Sequence, residues 1–129
     1  MKYYTTRSDD TIYRLAVLFY YRWDLWPLLY YPNEGALGID PFTIASGIRI
    51  MVPEPLLTDE LHGAVEGDTT YTLAESYYGL WWFYRLIEEA NAWPILLKAG
   101  EIYRIPALCS QMEYDAAAEM RKALHVELD

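Results

Sequence analysis

The chain has 129 residues, a formal net charge of −9 and one cysteine, Cys109. A lone cysteine excludes an internal disulfide and a cysteine-built metal cluster. Residues 1–53 hold five basic and five acidic side chains and residues 54–129 five basic and fourteen acidic, so the field would repel nucleic acid or an anionic membrane rather than neutralise its phosphates.

The N-terminal residues Met1, Lys2, Tyr3 and Tyr4 show no apolar core of a signal peptide, and no stretch approaches 18 uncharged apolar residues, so neither export nor membrane insertion is expected. Residues 3–6 are β-prone. Asp9 or Asp10 is placed to cap a helix from 11 to about 21, with Ile12, Leu15, Ala16 and Phe19 at i, i+3, i+4, i+7 spacing. A short second helix follows, capped by Asp24, with Pro27 in its first turn and Pro32-Asn33 ending it. Residues 34–46, with Gly35, Gly38 and Pro41, read as a loop, and residues 47–52 as a strand stopped by Pro53.

Residues 54–60, with Pro55, form a short, stiff linker. The order then recurs over residues 61–107: a strand near 62–66, a helix capped by Asp68 from 69 to about 78, a second helix near 82–90 and a strand near 101–105. Residues 110–127 predict a C-terminal amphipathic helix, opened by the capping-box pattern Ser110-Gln111-Met112-Glu113. Met112, Ala116, Met120 and Leu124 form one stripe, which packs back on the chain or docks on another protein.

The recurrence is an internal repeat. Asp10, Thr11, Tyr13, Leu15 and Ala16 return as Asp68, Thr69, Tyr71, Leu73 and Ala74 at an offset of 58, which also pairs Tyr20 with Tyr78, Trp23 with Trp81, Leu28 with Leu86 and Asn33 with Asn91. Past Asn33 and Asn91 the offset becomes 53, pairing Gly47 to Pro53 with Gly100 to Pro106, so the first copy carries a loop five residues longer. The expected fold class is α+β: two tandem β-α-α-β units over residues 1–53 and 61–107, each a two-stranded antiparallel sheet with two helices on one face, plus the C-terminal helix.

Thirteen Tyr and five Trp make aromatics the compositional outlier, and modules this small must leave some of these rings at the surface. Trp81 matches Trp23 and is expected in a shared core position; Trp82 and Trp93 lack aromatic counterparts and are interface candidates, with Trp26 and Tyr21. Met112, Met120 and Leu124 join them as a protein-docking stripe. Asp9-Asp10 read as helix-cap acids and Glu88-Glu89 as a solvated helix end, while His62 and His125 lack an acid at matching spacing. No catalytic residue, metal site or cofactor is expected.

The second copy carries Val65-Glu66-Gly67-Asp68-Thr69, then Leu73-Ala74, Leu86, Asn91, Ala99-Gly100-Glu101 and Ile105-Pro106, and in this it resembles the LysM domain, a β-α-α-β module of this size. The first copy is similar through Ser8-Asp9-Asp10-Thr11, Leu15-Ala16, Asn33 and residues 47–53. The resemblance implies binding of N-acetylglucosamine polymers in a shallow groove, which here would join Gly67, Asp68 and Thr69 to Asn91, Pro94 and Ile95. LysM-like modules also act as adaptors in phage tail baseplates and contractile injection particles, made in the host cytoplasm without signal peptides. The expected function is that of a non-enzymatic adaptor held in multiple copies among other tail subunits, with peptidoglycan or chitin binding as the alternative.

Overall fold

The computed structural model describes residues 2–94 and 96–129. The fold is α+β with two small antiparallel two-stranded sheets. Two compact units divide the chain: the first runs to Pro55 and includes Cys109–Asp129, and the second is Leu56–Leu108.

The first unit runs β1 (Lys2–Thr5), α1 (Ile12–Tyr20), a 3-10 turn (Trp23–Leu25), α2 (Trp26–Tyr30), a second 3-10 turn (Tyr31–Asn33), α3 (Glu34–Leu37) and β2 (Arg49–Val52). The second unit runs β3 (Glu60–Gly63), α4 (Thr70–Tyr78), a 3-10 turn (Trp81–Phe83), α5 (Tyr84–Ala90) and β4 (Ile102–Ile105). The offset of 58 carries β1 onto β3, α1 onto α4 and the first residue of α2 onto that of α5, and the offset of 53 carries β2 onto β4. The opening strand of the second unit therefore begins two residues before the expected 62–66, and the 34–46 segment opens with the single helical turn α3 rather than as loop throughout.

In both sheets the register sets the buried residues of the closing strand on the core face. Tyr4 pairs with Ile50 and Lys2 with Val52; His62 pairs with Tyr103 and Glu60 with Ile105. Period-two alternation puts Tyr4, Ile50 and Val52 inside one unit and Tyr103 and Ile105 inside the other. The first core adds Ile12, Leu15, Ala16, Phe19, Leu28 and Leu29, and the second adds Leu73, Ala74, Phe83 and Ile87.

Three hydrogen-bond devices recur in both copies. The amide of Asn33 donates to Leu29 O at 2.7 Å and Met51 O at 2.8 Å, and accepts from Met51 N–H at 2.8 Å. The amide of Asn91 donates to Ile87 O at 2.7 Å and Arg104 O at 2.8 Å, and accepts from Arg104 N–H at 2.8 Å. Each asparagine thus offers the last strand the donor and acceptor that a further strand would supply, and anchors it to the second helix. Tyr20 and Tyr78 donate from their hydroxyls to Pro53 O and Pro106 O at 2.7 and 2.6 Å, closing the end of each unit. Asp10 and Asp68 each accept the backbone N–H three residues earlier, from Arg7 at 2.7 Å and Val65 at 2.9 Å.

Those aspartates fix the turn before the helix. The N-caps themselves are Thr11 and Thr69, whose hydroxyls accept from Arg14 N–H and Thr72 N–H, which corrects the expected Asp caps by one residue. Asp10 and Asp68 act one step earlier: each closes the four-residue turn before the cap, its backbone N–H donating to the carbonyl of Arg7 or Val65 while its carboxylate accepts that residue's N–H.

The C-terminal helix α6 (Gln111–Ala123) belongs to the first unit and packs on α1. Its buried face is Ala117 and Arg121 rather than the Met112–Leu124 stripe: Met112 is 81% exposed and Leu124 46%. The Arg121 guanidinium donates to the carbonyls of Leu18 at 2.7 Å and Phe19 at 3.4 Å, at the C-terminal end of α1, where helix carbonyls lack partners and the dipole favours a cation. This explains a sequence asymmetry: α1 carries Val17, Leu18 and Phe19 where α4 carries Glu75, Ser76 and Tyr77. The chain ends beside β1, where Asp129 N–H donates to Tyr3 O at 2.9 Å.

The asparagine brace yields a graded prediction. Asn33 is buried, so Asn33→Ala strands a strand N–H and C=O away from water and should cost about 3 kcal/mol. Around Asn91 the strand groups are open to solvent, and Asn91→Ala should cost about half as much, both read from urea unfolding midpoints.

Candidate functional site

The repeat places the same three aromatic positions side by side in each unit. In the first, Tyr13 on α1 meets Trp23 edge-on at 5.7 Å and Trp26 at 6.3 Å between ring centroids. In the second, Tyr71 on α4 meets Trp81 at 6.3 Å and stacks on Tyr84 at 4.3 Å, the Trp26 position. Tyr13, Trp23, Tyr71 and Trp81 are 41%, 60%, 49% and 42% exposed. Trp23 and Trp81 are therefore outside the core, against the expectation of a shared core site. The buried residues of those 3-10 turns are Leu25 and Phe83, two positions on, and the indoles lie against the tyrosine outside.

In the second unit a cleft of about 540 Å³ opens beside the platform. It is lined by Thr69, Thr70, Tyr71, Tyr84, Glu88, Trp93 and Pro94. Trp93 and the preceding Ala92 both adopt left-handed backbone, at φ 58° and 62°, which turns the chain sharply after α5 and brings the indole over the cleft. The Arg85 guanidinium lies 5.7 Å from the centre of that indole. Thr70 donates its hydroxyl to Glu88 Oε2 at 2.8 Å across the floor, which leaves the carboxylate further acceptor capacity.

The expected groove residues separate. Thr69 and Pro94 line the cleft, joined by Trp93 from the expected protein interface. Gly67 makes the preceding turn at φ 92°, a conformation that favours glycine. Asp68 is turned beneath the loop, and Asn91 is committed to Arg104. Ile95 lies outside the described residues. Of the remaining interface candidates, Tyr21 is the left-handed C-cap of α1 at φ 62° and is 49% exposed, at the position where α4 ends in Gly79. Trp26 is half-buried among Tyr13, Tyr30, Tyr31 and Phe42, and Trp82 is 38% exposed against Trp81. Met112 and Leu124 are exposed, and Met120 is half-buried, on α6.

Sequence reading missed Tyr13, Phe42, Thr70, Tyr71, Tyr84 and Glu88. Three of them were signalled by the repeat, since Tyr13 and Trp26 return as Tyr71 and Tyr84, whereas Phe42 lies in the segment where the register breaks. It also missed the acid beside His62. His62 Nε2 lies 2.8 Å from Asp68 Oδ2, and Nδ1 lies 2.8 Å from the Tyr77 hydroxyl. Because a carboxylate only accepts, Nε2 carries the proton. The first unit answers with Tyr4 donating to Asp10 at 2.6 Å and packing edge-on against Phe19, so the second unit has replaced an apolar contact by a polar one. Among the described residues no group of three or more His, Cys, Asp or Glu side chains is placed to hold a metal ion.

The hydrogen bond from His62, followed by that from Val65, holds the Asp68 carboxyl below the usual carboxylate range. A depressed folded pKa gives stability that is present above the unfolded value near pH 4 and is lost as pH falls through the folded one. The second unit should accordingly loosen on acidification below about pH 4, and Asp68→Asn should flatten that part of its pH–stability curve, followed by hydrogen exchange of α4 amides. No protein-family model matches the chain, and no curated protein matches it.

Proposed function

We propose that the chain is a non-enzymatic adaptor of a phage tail baseplate or related contractile injection particle, built on two LysM-like modules. The observation that carries this reading is the aromatic platform repeated in both units. Apolar rings left at the surface of so small a module mark a docking face, and aromatics are enriched where protein partners meet. The β-α-α-β order of the second unit, which the first keeps with the added helical turn α3, and the Asp-Thr turn before the first helix support the LysM-like scaffold. Helix α6 presents Met112 and Leu124 outward, which gives the first unit a further apolar contact. No helix among the described residues is long and apolar enough to cross a membrane.

One observation favours a second reading, binding of N-acetylglucosamine polymers: the open cleft of the second unit sets two stacked tyrosines and Trp93 beside hydroxyls and a carboxylate. Cosedimentation with insoluble peptidoglycan and chitin separates the two. The adaptor reading predicts no saturable retention, whereas retention lost in Tyr71→Ala would carry the glycan reading. Within an assembled particle, replacing both Trp23 and Trp81 by alanine should cut incorporation at least about tenfold, as expected when interface anchors are truncated, with the thermal midpoint unchanged. Full incorporation of that variant would remove the aromatic face from the interface.

A further inference from the structure

The two platforms share their rings but differ in what lies on them. In the first unit Phe42, from the longer 34–46 segment, sits on Tyr13 at 5.3 Å and on Trp26 at 5.7 Å between centroids. Tyr30 secures that segment, its hydroxyl donating to Gly38 O at 2.6 Å. The second unit lacks both parts: its segment is five residues shorter, and Glu88 stands in the Tyr30 position with its carboxylate lining the cleft. The first copy thus displays an occupant of this surface, an aromatic side chain carried on a Pro-containing loop, while the second presents the surface open.

Charge specifies the rest of the occupant. In the first unit the ring lies on Trp26, which itself packs against Tyr30; in the second the residue at the Tyr30 position is Glu88, with Glu89 adjacent, in a unit holding eight acidic side chains against three basic ones. A second copy of this chain's own Asp40-Pro41-Phe42 would bring an acid against that carboxylate and is disfavoured. We infer that the cleft of the second unit docks a partner protein's loop that inserts an aromatic side chain against Tyr71 and Tyr84 and sets a flanking lysine or arginine against Glu88. The ring takes the place Phe42 holds in the first unit, and the cation answers the carboxylate that replaced Tyr30. This inference rests on the adaptor reading and names the chemistry of one of its contacts.

The test uses the full chain and a cyclic hexapeptide displaying Lys-Pro-Phe-Lys, preorganised to limit the ordering cost. Ring resonances of Tyr71, Tyr84 and Trp93 should shift saturably at one site per chain. Replacing the peptide's Phe by Ala should weaken binding about tenfold or more, and replacing its lysines by glutamates, or Glu88→Gln in the protein, should weaken it about threefold, as for a part-exposed charge pair. Phe42→Ala should expose a second, weaker site at Tyr13 and Trp26. Equal binding of the Phe and Ala peptides, no response to Glu88→Gln, or shifts away from the cleft would overturn the inference. If no peptide binds while particle incorporation still depends on Tyr71, only this docking chemistry falls; if incorporation ignores Tyr71 and Trp81 alike, the adaptor reading falls with it.

Discussion

Each unit depends on a single asparagine. A two-stranded sheet leaves the outer edge of its last strand without backbone partners, and a module of about 50 residues has little core with which to offset unpaired groups. Asn33 and Asn91 answer both problems, because one side-chain amide presents donor and acceptor together to the strand and also donates to a carbonyl of the second helix, Leu29 O or Ile87 O. The brace fixes where the last strand lies against the second helix. Whatever loop joins them must start and end at those two fixed points, and so its length can change without disturbing the hairpin.

That freedom is where the copies part. With the ends held, the first copy extends its segment far enough for Phe42 to return over Tyr13 and Trp26. The second copy instead turns tightly through Ala92 and Trp93 and leaves its cleft open. The units diverge similarly beneath the first helix. Arg121 of α6 serves the carbonyls ending α1, and Val17, Leu18 and Phe19 are apolar to meet that helix. The equivalent face of α4 is polar, and there Tyr77 meets His62. A scaffold used twice thereby supports one unit whose platform is partly covered by its own loop and one whose platform opens on a cleft.

Most of the scaffold was legible in the sequence because duplication is legible: the two offsets, 58 and 53, carry every shared strand and helix start onto its counterpart. The capping threonines were misread by one residue because Asp and Thr adjoin in both copies and either can cap; only the geometry assigns the carboxylate to the turn and the hydroxyl to the helix. The site was less legible. Pairing Trp23 with Trp81 suggested a core position, yet a repeated aromatic serves equally as a repeated surface, and sequence identity between copies does not distinguish the two. Asp68 and Asn91 resembled groove residues by position, but their side chains are taken up by the backbone they organise. Phe42 fell where no repeat register exists, so nothing in the sequence tied it to the platform.

Both copies hang on the same amide brace, and native-state hydrogen exchange reads that brace amide by amide. The amides of Met51 and Arg104 donate to asparagine side chains rather than to another strand. Both should be protected to the level of the paired strand amides of their own unit and should open together with them. Exchange of either amide at the rate of an unstructured loop, with the rest of its sheet protected, would rule the brace out.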